Sequence, residues 1–442
     1  MILWRWWSAD LTGINWLLLW AGVYRGVMSQ VVGSSERVAV PSQVSVGVLA
    51  VTVPRFKVDD AVAACGVREK RSDGTLPAHV TAYLTMGLCL FADDPYEEVA
   101  AKVTGSLSEW GCWNASWPVP TASAITQARK RLGRDVVKDL FYRVAEPVAE
   151  HDTRGARLRG WRLTAIDGFE LDLPDTKENA AEFGHAGSEK SGNRSAFPKA
   201  RVVAVAECGT HAFVDAEVGA IHAGEKTLAA PLLDRLGQDW LLTADRGFYS
   251  FDAWARARGS GAELLWRAPT QLRLPLVAWL PDGTYLSVLI KPGLREAARA
   301  GLIDDAKAGR TLDPERAHLV RVVEYTVPDR DGKELIALIT SITDPAAARA
   351  DELASAYHQR WEEETGNDQL KTHLRGPGRV LRSKLPDLVH QEIWAYLLTH
   401  HALSALISRA ATAADIDPDR ISFAKALNIV RRSSTGTAAF PP

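Results

Sequence analysis

From Leu158 onward the chain alternates apolar and polar positions. RLTAIDGFELDLP (162–174), ARVVAVAEC (200–208) and HAFVDAEVG (211–219) each read as a strand between Gly-rich turns. EKTLAAPLLDRLG (225–237) then carries its apolar residues at helical spacing, and WLLTADRGF (240–248) reads as a buried strand ending in charge. Upstream, DDAVAACGV (59–67), PAHVTAYLTMGLCLF (77–91) and DPYEEVAAKVTGSL (94–107) are helix-like, separated by Gly, Pro and Asp. A further helix is predicted in PTASAITQARKRLG (120–133), capped by Thr121 or Ser123. Residues 270 to 340 are again strand-rich, with turns at Pro281-Asp282-Gly283 and Asp331-Gly332.

Three strands, a helix and a further strand is the order of a ribonuclease-H-like core. The predicted fold is therefore α/β, with such a core at 158–268 and 341–410, an inserted β-rich subdomain at 269–340, and an all-helical N-terminal domain at 58–150. The helices at 95–107 and 121–132 read as a helix-turn-helix with Ser123, Thr126, Gln127 and Lys130 facing DNA, or as a small bundle with a solvated basic face. A flexible segment is expected at 28–57 and a C-terminal tail at 411–442, ending in the disordered SSTGTAAFPP. Residues 1–27 hold five of the fifteen tryptophans, and their uncharged run from Leu11 to Tyr24 is short for a bilayer span. That leader reads as a weak membrane-associating segment or, in the favoured reading, as upstream sequence translated in frame with the native start at Met28.

Composition narrows the function less than local pattern does. With 46% hydrophobic and 24% charged residues, a net charge of −2 and a pI near 6.6, the chain is globular and carries no global mark of a nucleic-acid partner. Four dispersed cysteines with no CxxC pair fit a reducing compartment and indicate neither a disulfide framework nor a zinc site. Local basic patches stand out at Arg129 to Lys138, at Arg154, Arg157, Arg159 and Arg162, and from Lys371 to Lys384. His185, His211, His222, His400 and His401 lack metal-ligand spacing and read as structural or surface residues.

Candidate chemistry lies in three places. In AIDGFELDLPDT, Asp167 shares the apolar face of its strand with Phe169, Leu171 and Leu173, whereas Glu170 and Asp172 point to the other side. In LLTADRGFYS, Asp245 ends an apolar strand just before Arg246. In YHQRWEEETGNDQLK (357–371), Arg360, Glu364 and Lys371 fall at about 300, 340 and 320 degrees around a helix counted from Tyr357, while Glu362 and Glu363 fall at about 140 and 240. Glu364 is thus the glutamate on the stripe with the two cations, although an ordinary surface ion pair between Arg360 and Glu364 has the same spacing.

The spacing Tyr357, Arg360, Glu364, Lys371 matches Y-(2)-R-(3)-E-(6)-K, and the chain resembles the bacterial insertion-sequence DDE transposases of the IS-four type over residues 58 to 432. The resemblance implies an acidic triad of Asp167, Asp245 and Glu364 holding two Mg²⁺ or Mn²⁺ ions, with Tyr357, Arg360 and Lys371 on DNA phosphates. Arg246 beside Asp245 and the basic run Arg129, Lys130 and Arg131 are then expected on DNA, although such a patch alone would more often be solvated surface. The resemblance further implies binding of double-stranded DNA as terminal inverted repeats and target, a homodimer on paired ends, and a cytoplasmic enzyme of the bacterial nucleoid with no membrane partner. An aromatic such as Trp279 or Tyr285 is the stacking residue expected in the inserted subdomain. The alternatives are a metal-dependent nuclease of the same fold without strand joining and a domesticated DNA-binding protein; the presence of all three acids and the lysine weighs against the second.

Overall fold

The computed structural model describes residues 45–68, 76–109, 113–114, 116–188, 192–329 and 332–432. The readings on the leader 1–27, on residues 28–44 and on SSTGTAAFPP lie outside the described residues.

The three alternating segments form β2 (Trp161–Asp172), β3 (Lys199–Glu207) and β4 (Phe213–Ala220), and the buried strand is β5 (Trp240–Ala244). A short β1 (Arg157–Leu158) folds onto β2. Helix α8 (Glu225–Leu233) links β4 to β5, and α9 (Phe251–Gly259) links β5 to β6 (Glu263–Arg267). The order in space is β4-β3-β2-β5-β6, with β2 antiparallel to β3 and parallel to β5. This is a large mixed α/β sheet with the strand order of a ribonuclease-H-like core.

The strand-rich stretch after it gives β7 (Ala278–Trp279), β8 (Tyr285–Ile290), β9 (Ala317–Asp329) and β10 (Gly332–Thr340). Strand β10 pairs antiparallel with β6, so these strands continue the core sheet rather than making a sheet of their own. Pairing covers the N–H and C=O row that β6 would otherwise expose as an edge. The strand reading of 270–340 missed a helix, α10 (Glu296–Lys307), whose Leu302 and Ala306 pack on Val288 and Ala317.

Among the described residues six helices precede the sheet: α1 (Ser45–Thr52), α2 (Arg55–Ala64), α3 (Ala78–Leu90), α4 (Tyr96–Glu109), α5 (Ala122–Leu132) and α6 (Arg134–Val144). Thr121 caps α5, its hydroxyl accepting from the Ala124 N–H at 3.3 Å. A short α7 (Lys177–Phe183) follows β2, and after β10 come α11 (Ala350–His358), α12 (Trp361–Asp368), the long α13 (Pro386–Ala414) and α14 (Phe423–Arg432). Pro386 suits the first turn of α13, where its missing N–H costs no bond. One apolar cluster unites Leu84, Phe141, Trp394 and Leu398 with Phe169 and Leu171 of β2. The N-terminal helices therefore share their core with α13 and with one face of the sheet.

Candidate active site

Strands β2 and β5 pair in parallel with Ile166 opposite Ala244. The next residue of each is an acid. Asp167 and Asp245 thus leave neighbouring strands side by side and, by alternation, on one face. On that face Leu163 and Ala165 belong to an apolar cluster with Leu353, Ala356 and Tyr357, whereas Phe169 and Leu171 belong to the cluster around α13. Asp167 lies at the seam between the two.

The segment 357–371 runs over this seam. Tyr357 packs in the cluster with Leu163 and Ala165, the Asn367 amide donates to Asp167 Oδ2 at 3.3 Å, and Lys371 Nζ stands 5.9 Å from the centre of the Phe169 ring. Three successive contacts therefore follow β2 in its own direction, from one side of the acid to the other. The chain does this without being one helix: α11 ends at His358, Gln359 and Arg360 form a turn, α12 follows, and Gln369–Leu374 winds as a π-helix. Ideal phase from Tyr357 to Lys371 is thus only a first approximation. Within it the Arg360–Glu364 spacing holds, because the guanidinium donates to Glu364 Oε1 at 3.0 Å.

The electrostatics follow from burial. Desolvation raises the Asp167 carboxyl above its ordinary value; the Gly168 N–H and the Arg360 charge oppose this, and Glu364 and Glu225 add to it. Glu225, at the start of α8, lies over Gly168, its Oε1 3.0 Å from where a side chain's Cβ would stand. Burial pushes the Tyr357 hydroxyl up to about 12, so it stays protonated and able to donate. Arg360 is 7% exposed; burial opposes its charge, but Tyr357, Glu364 and Asp245 outweigh that and raise its pKa.

The competing carboxylates of the same segment have structural partners. Glu170 pairs with Arg201 at 3.0 Å, Lys199 lies 3.1 Å from Asp172, and Asp175 is exposed. Asp167 and Asp245 carry hard carboxylate oxygens, the donor type that a divalent cation takes. Glu364 is committed to Arg360, and among the described residues no group of three or more His, Cys, Asp or Glu is placed to hold a metal ion. The donor chemistry fits a divalent ion, and Glu364 meets Arg360 through Oε1.

The cations expected on DNA divide sharply. Arg129 is 2% exposed and faces inward, donating to Gln391, Tyr96, Ser383 and the Leu388 carbonyl, so it is a core residue and not a DNA contact. Its neighbours Lys130 and Arg131 are exposed, as are Ser123 and Gln127 on the same helix. Arg246 is exposed beside Asp245. The patch at 371–384 is largely consumed by packing. Arg375 is buried, Arg379 pairs with Asp93, and Arg382 donates to the Asp94 carbonyl at 2.6 Å over the Tyr96 ring. Arg154, Arg159 and Arg162 likewise pair with Asp415, Glu352 and Glu207. Asn367 went unread in the sequence. The phase that selects Glu364 also selects it, at about 280 degrees on the same count.

These observations define a class first: the chain is a transposase of the DDE type. A family model described as the transposase DDE domain matches residues 160–400, and one described as the insertion element 4 transposase N-terminal region matches residues 43–142. The chain belongs to the IS4 family of these enzymes, which cleave DNA and transfer its strands. Over 363 residues it is 28% identical to the transposase InsG for insertion sequence element IS4 of Escherichia coli (strain K12), covering 81% of this chain and 76% of that one. A cryo-EM structure of a piggyBac transposase synaptic complex with hairpin DNA aligns with a TM-score of 0.46 at 12% identity, over 88% of this chain and 80% of that one. Among the described residues no helix is long and apolar enough to cross a membrane.

Proposed function

We propose that Asp167, Asp245 and Glu364 are the acidic triad of this transposase and that Tyr357, Arg360 and Lys371 hold DNA phosphates beside it. The observation that carries the reading is the parallel register of β2 and β5, which sets the two aspartates next to each other under α12. Family membership implies dependence on a divalent metal. Two Mg²⁺ or Mn²⁺ ions, once held by the three carboxylates, would lower the pKa of an attacking water or 3′-hydroxyl and stabilise the leaving oxygen. Arg360 supplies a buried planar donor suited to a phosphate, Tyr357 a protonated hydroxyl, and Lys371 a charge on the far side of Asp167.

In this reading the helical region 58–150 recognises the terminal inverted repeats, with Lys130 and Arg131 on the backbone beside Ser123 and Gln127, and Arg246 meets a phosphate at the rim. Residues 158–268 and 341–410 form the catalytic core, 269–340 an insertion in it, and 411–442 a tail. Trp279, 67% exposed and edge-on to Tyr285 at 5.4 Å, stacks on a displaced base. Two copies assemble on paired ends, and the enzyme works on cytoplasmic nucleoid DNA. The test is cleavage and joining of element-end DNA in Mg²⁺. Asp245→Asn or Glu364→Gln protein must lose both steps while keeping its fold, and either variant cutting at the parent rate would refute the triad.

A further inference from the structure

The hydrogen bond between Asn367 and Asp167 belongs neither to the acidic triad nor to the Y-R-E-K spacing. Asn367 is 3% exposed and sits one helical turn after Glu364 on α12. Its Nδ2 donates to Asp167 Oδ2 at 3.3 Å, so one helix both carries the third acid and ties itself to the first. The same end of α12 is anchored a second time. Gln369 Nε2 lies 2.8 Å from His211 Nδ1, and Gln369 Oε1 lies 3.1 Å from His400 Nε2. The helix therefore keeps its seat when the Asn367 amide is removed, and the contact to Asp167 is free to serve the carboxylate.

The chemistry of the donor is informative. A buried carboxylate that must bind a cation is poorly served by a lysine or arginine hydrogen-bonded to it, because that charge competes with the metal for the same oxygens. A neutral amide orients the carboxylate and favours its ionised form without neutralising it. Donation to one oxygen leaves the other for a ligand, as partners beyond the ligands themselves do in metal centres.

We propose that Asn367 is a positioning residue for the metal centre: it fixes the Asp167 carboxylate. The inference rests on the assignment of Asp167 as a metal ligand, and the experiment separates the two. Full-length parent, Asn367→Ser, Asn367→Leu and Asp167→Asn proteins, each bound to pre-cut element-end DNA, are titrated with Mn²⁺ and followed by electron paramagnetic resonance. Thermal melting checks the fold, and cleavage of uncut ends is measured against Mn²⁺ concentration. Both Asn367 variants are expected to bind Mn²⁺ about tenfold more weakly. Their rate at saturating Mn²⁺ should stay within a few-fold of the parent's. Should Asn367→Leu not fold, the small and polar serine variant decides alone. If Asp167→Asn weakens Mn²⁺ binding while a folded Asn367 variant binds like the parent, the role of Asn367 is refuted and the site stands. If Asp167→Asn also binds like the parent, the site reading falls. A lower rate with unchanged Mn²⁺ half-saturation would make Asn367 a packing residue and overturn the proposal.

Discussion

Arg129 offers the sharpest contrast between surface and core, since its sequence context, Arg129-Lys130-Arg131, reads as a uniform basic run. Truncation to alanine removes the donors to Gln391 (3.4 Å), Tyr96 (3.3 Å), Ser383 (3.2 Å) and the Leu388 carbonyl (2.9 Å). The Gln391 Oε1 acceptor then stands buried with its donor missing, at about 1–3 kcal/mol for an acceptor left unsatisfied, while the Leu388 carbonyl keeps its bond within α13. Lost packing of the long aliphatic stem adds to this, giving a total of about 3–5 kcal/mol. In a chain of this size that corresponds to a fall in Tm on the order of 3–5 °C. Arg129→Met, which restores most of the volume and none of the donors, should recover only the packing share. Lys130→Ala, by contrast, should leave stability within about 0.5 kcal/mol and reduce the slope of log affinity against log salt by about 1. Urea unfolding and salt-dependent binding to an element end, measured on the same preparations below the melting range, separate the cases. An Arg129→Ala protein as stable as the parent, with a reduced salt slope, would refute the assignment of Arg129 to the core.

Further outcomes test other parts of the structure. Glu362→Gln should leave cleavage close to the parent level where Glu364→Gln abolishes it, and a dead Glu362→Gln protein in a cleavage assay would contradict the phase argument. Lys371→Ala should keep the parent Tm and lower both DNA affinity and its salt slope, read by titration at several salt concentrations; an unchanged slope would remove Lys371 from the phosphate contacts. His401, buried with Nδ1 3.0 Å from the Phe213 carbonyl, has its pKa lowered from 6.5 to about 4 by desolvation. A depressed histidine contributes stability above its unfolded pKa that is lost as pH falls toward the folded one. The parent should therefore lose stability between pH 6.5 and 4, and His401→Asn should show a shallower loss in chemical denaturation across that window; identical slopes would refute this account.

Much of the fold is legible in the alternation of apolar residues, because strands buried against helices must repeat every second position whatever surrounds them. The strands β2 to β5 and helix α8 fall where the pattern puts them, and Thr121 caps α5 as its hydroxyl and position imply. Helix α10 escaped because its surroundings are strands, while its own periodicity in EAARAGLIDDAK is short and only weakly amphipathic. The π-helix after α12 could not be read from ideal phase, since one extra residue per turn depends on what the helix packs against.

Sequence alone determined where the acids proposed for the chemistry stand: one on the apolar face of β2, one at the end of β5, and one glutamate of three set a turn after an arginine. Those are local properties, dictated by side-chain alternation and helical pitch. Only the tertiary structure decided which charges are available. Arg129, Arg379 and Arg382 look like their exposed neighbours in a one-dimensional charge pattern, yet each is taken up by partners far away along the chain, and Arg375 is buried. The Asn367 amide meets Asp167 because α12 crosses the seam between two apolar clusters. Burial and long-range hydrogen bonding depend on where distant segments meet, and spacing along the chain does not record it.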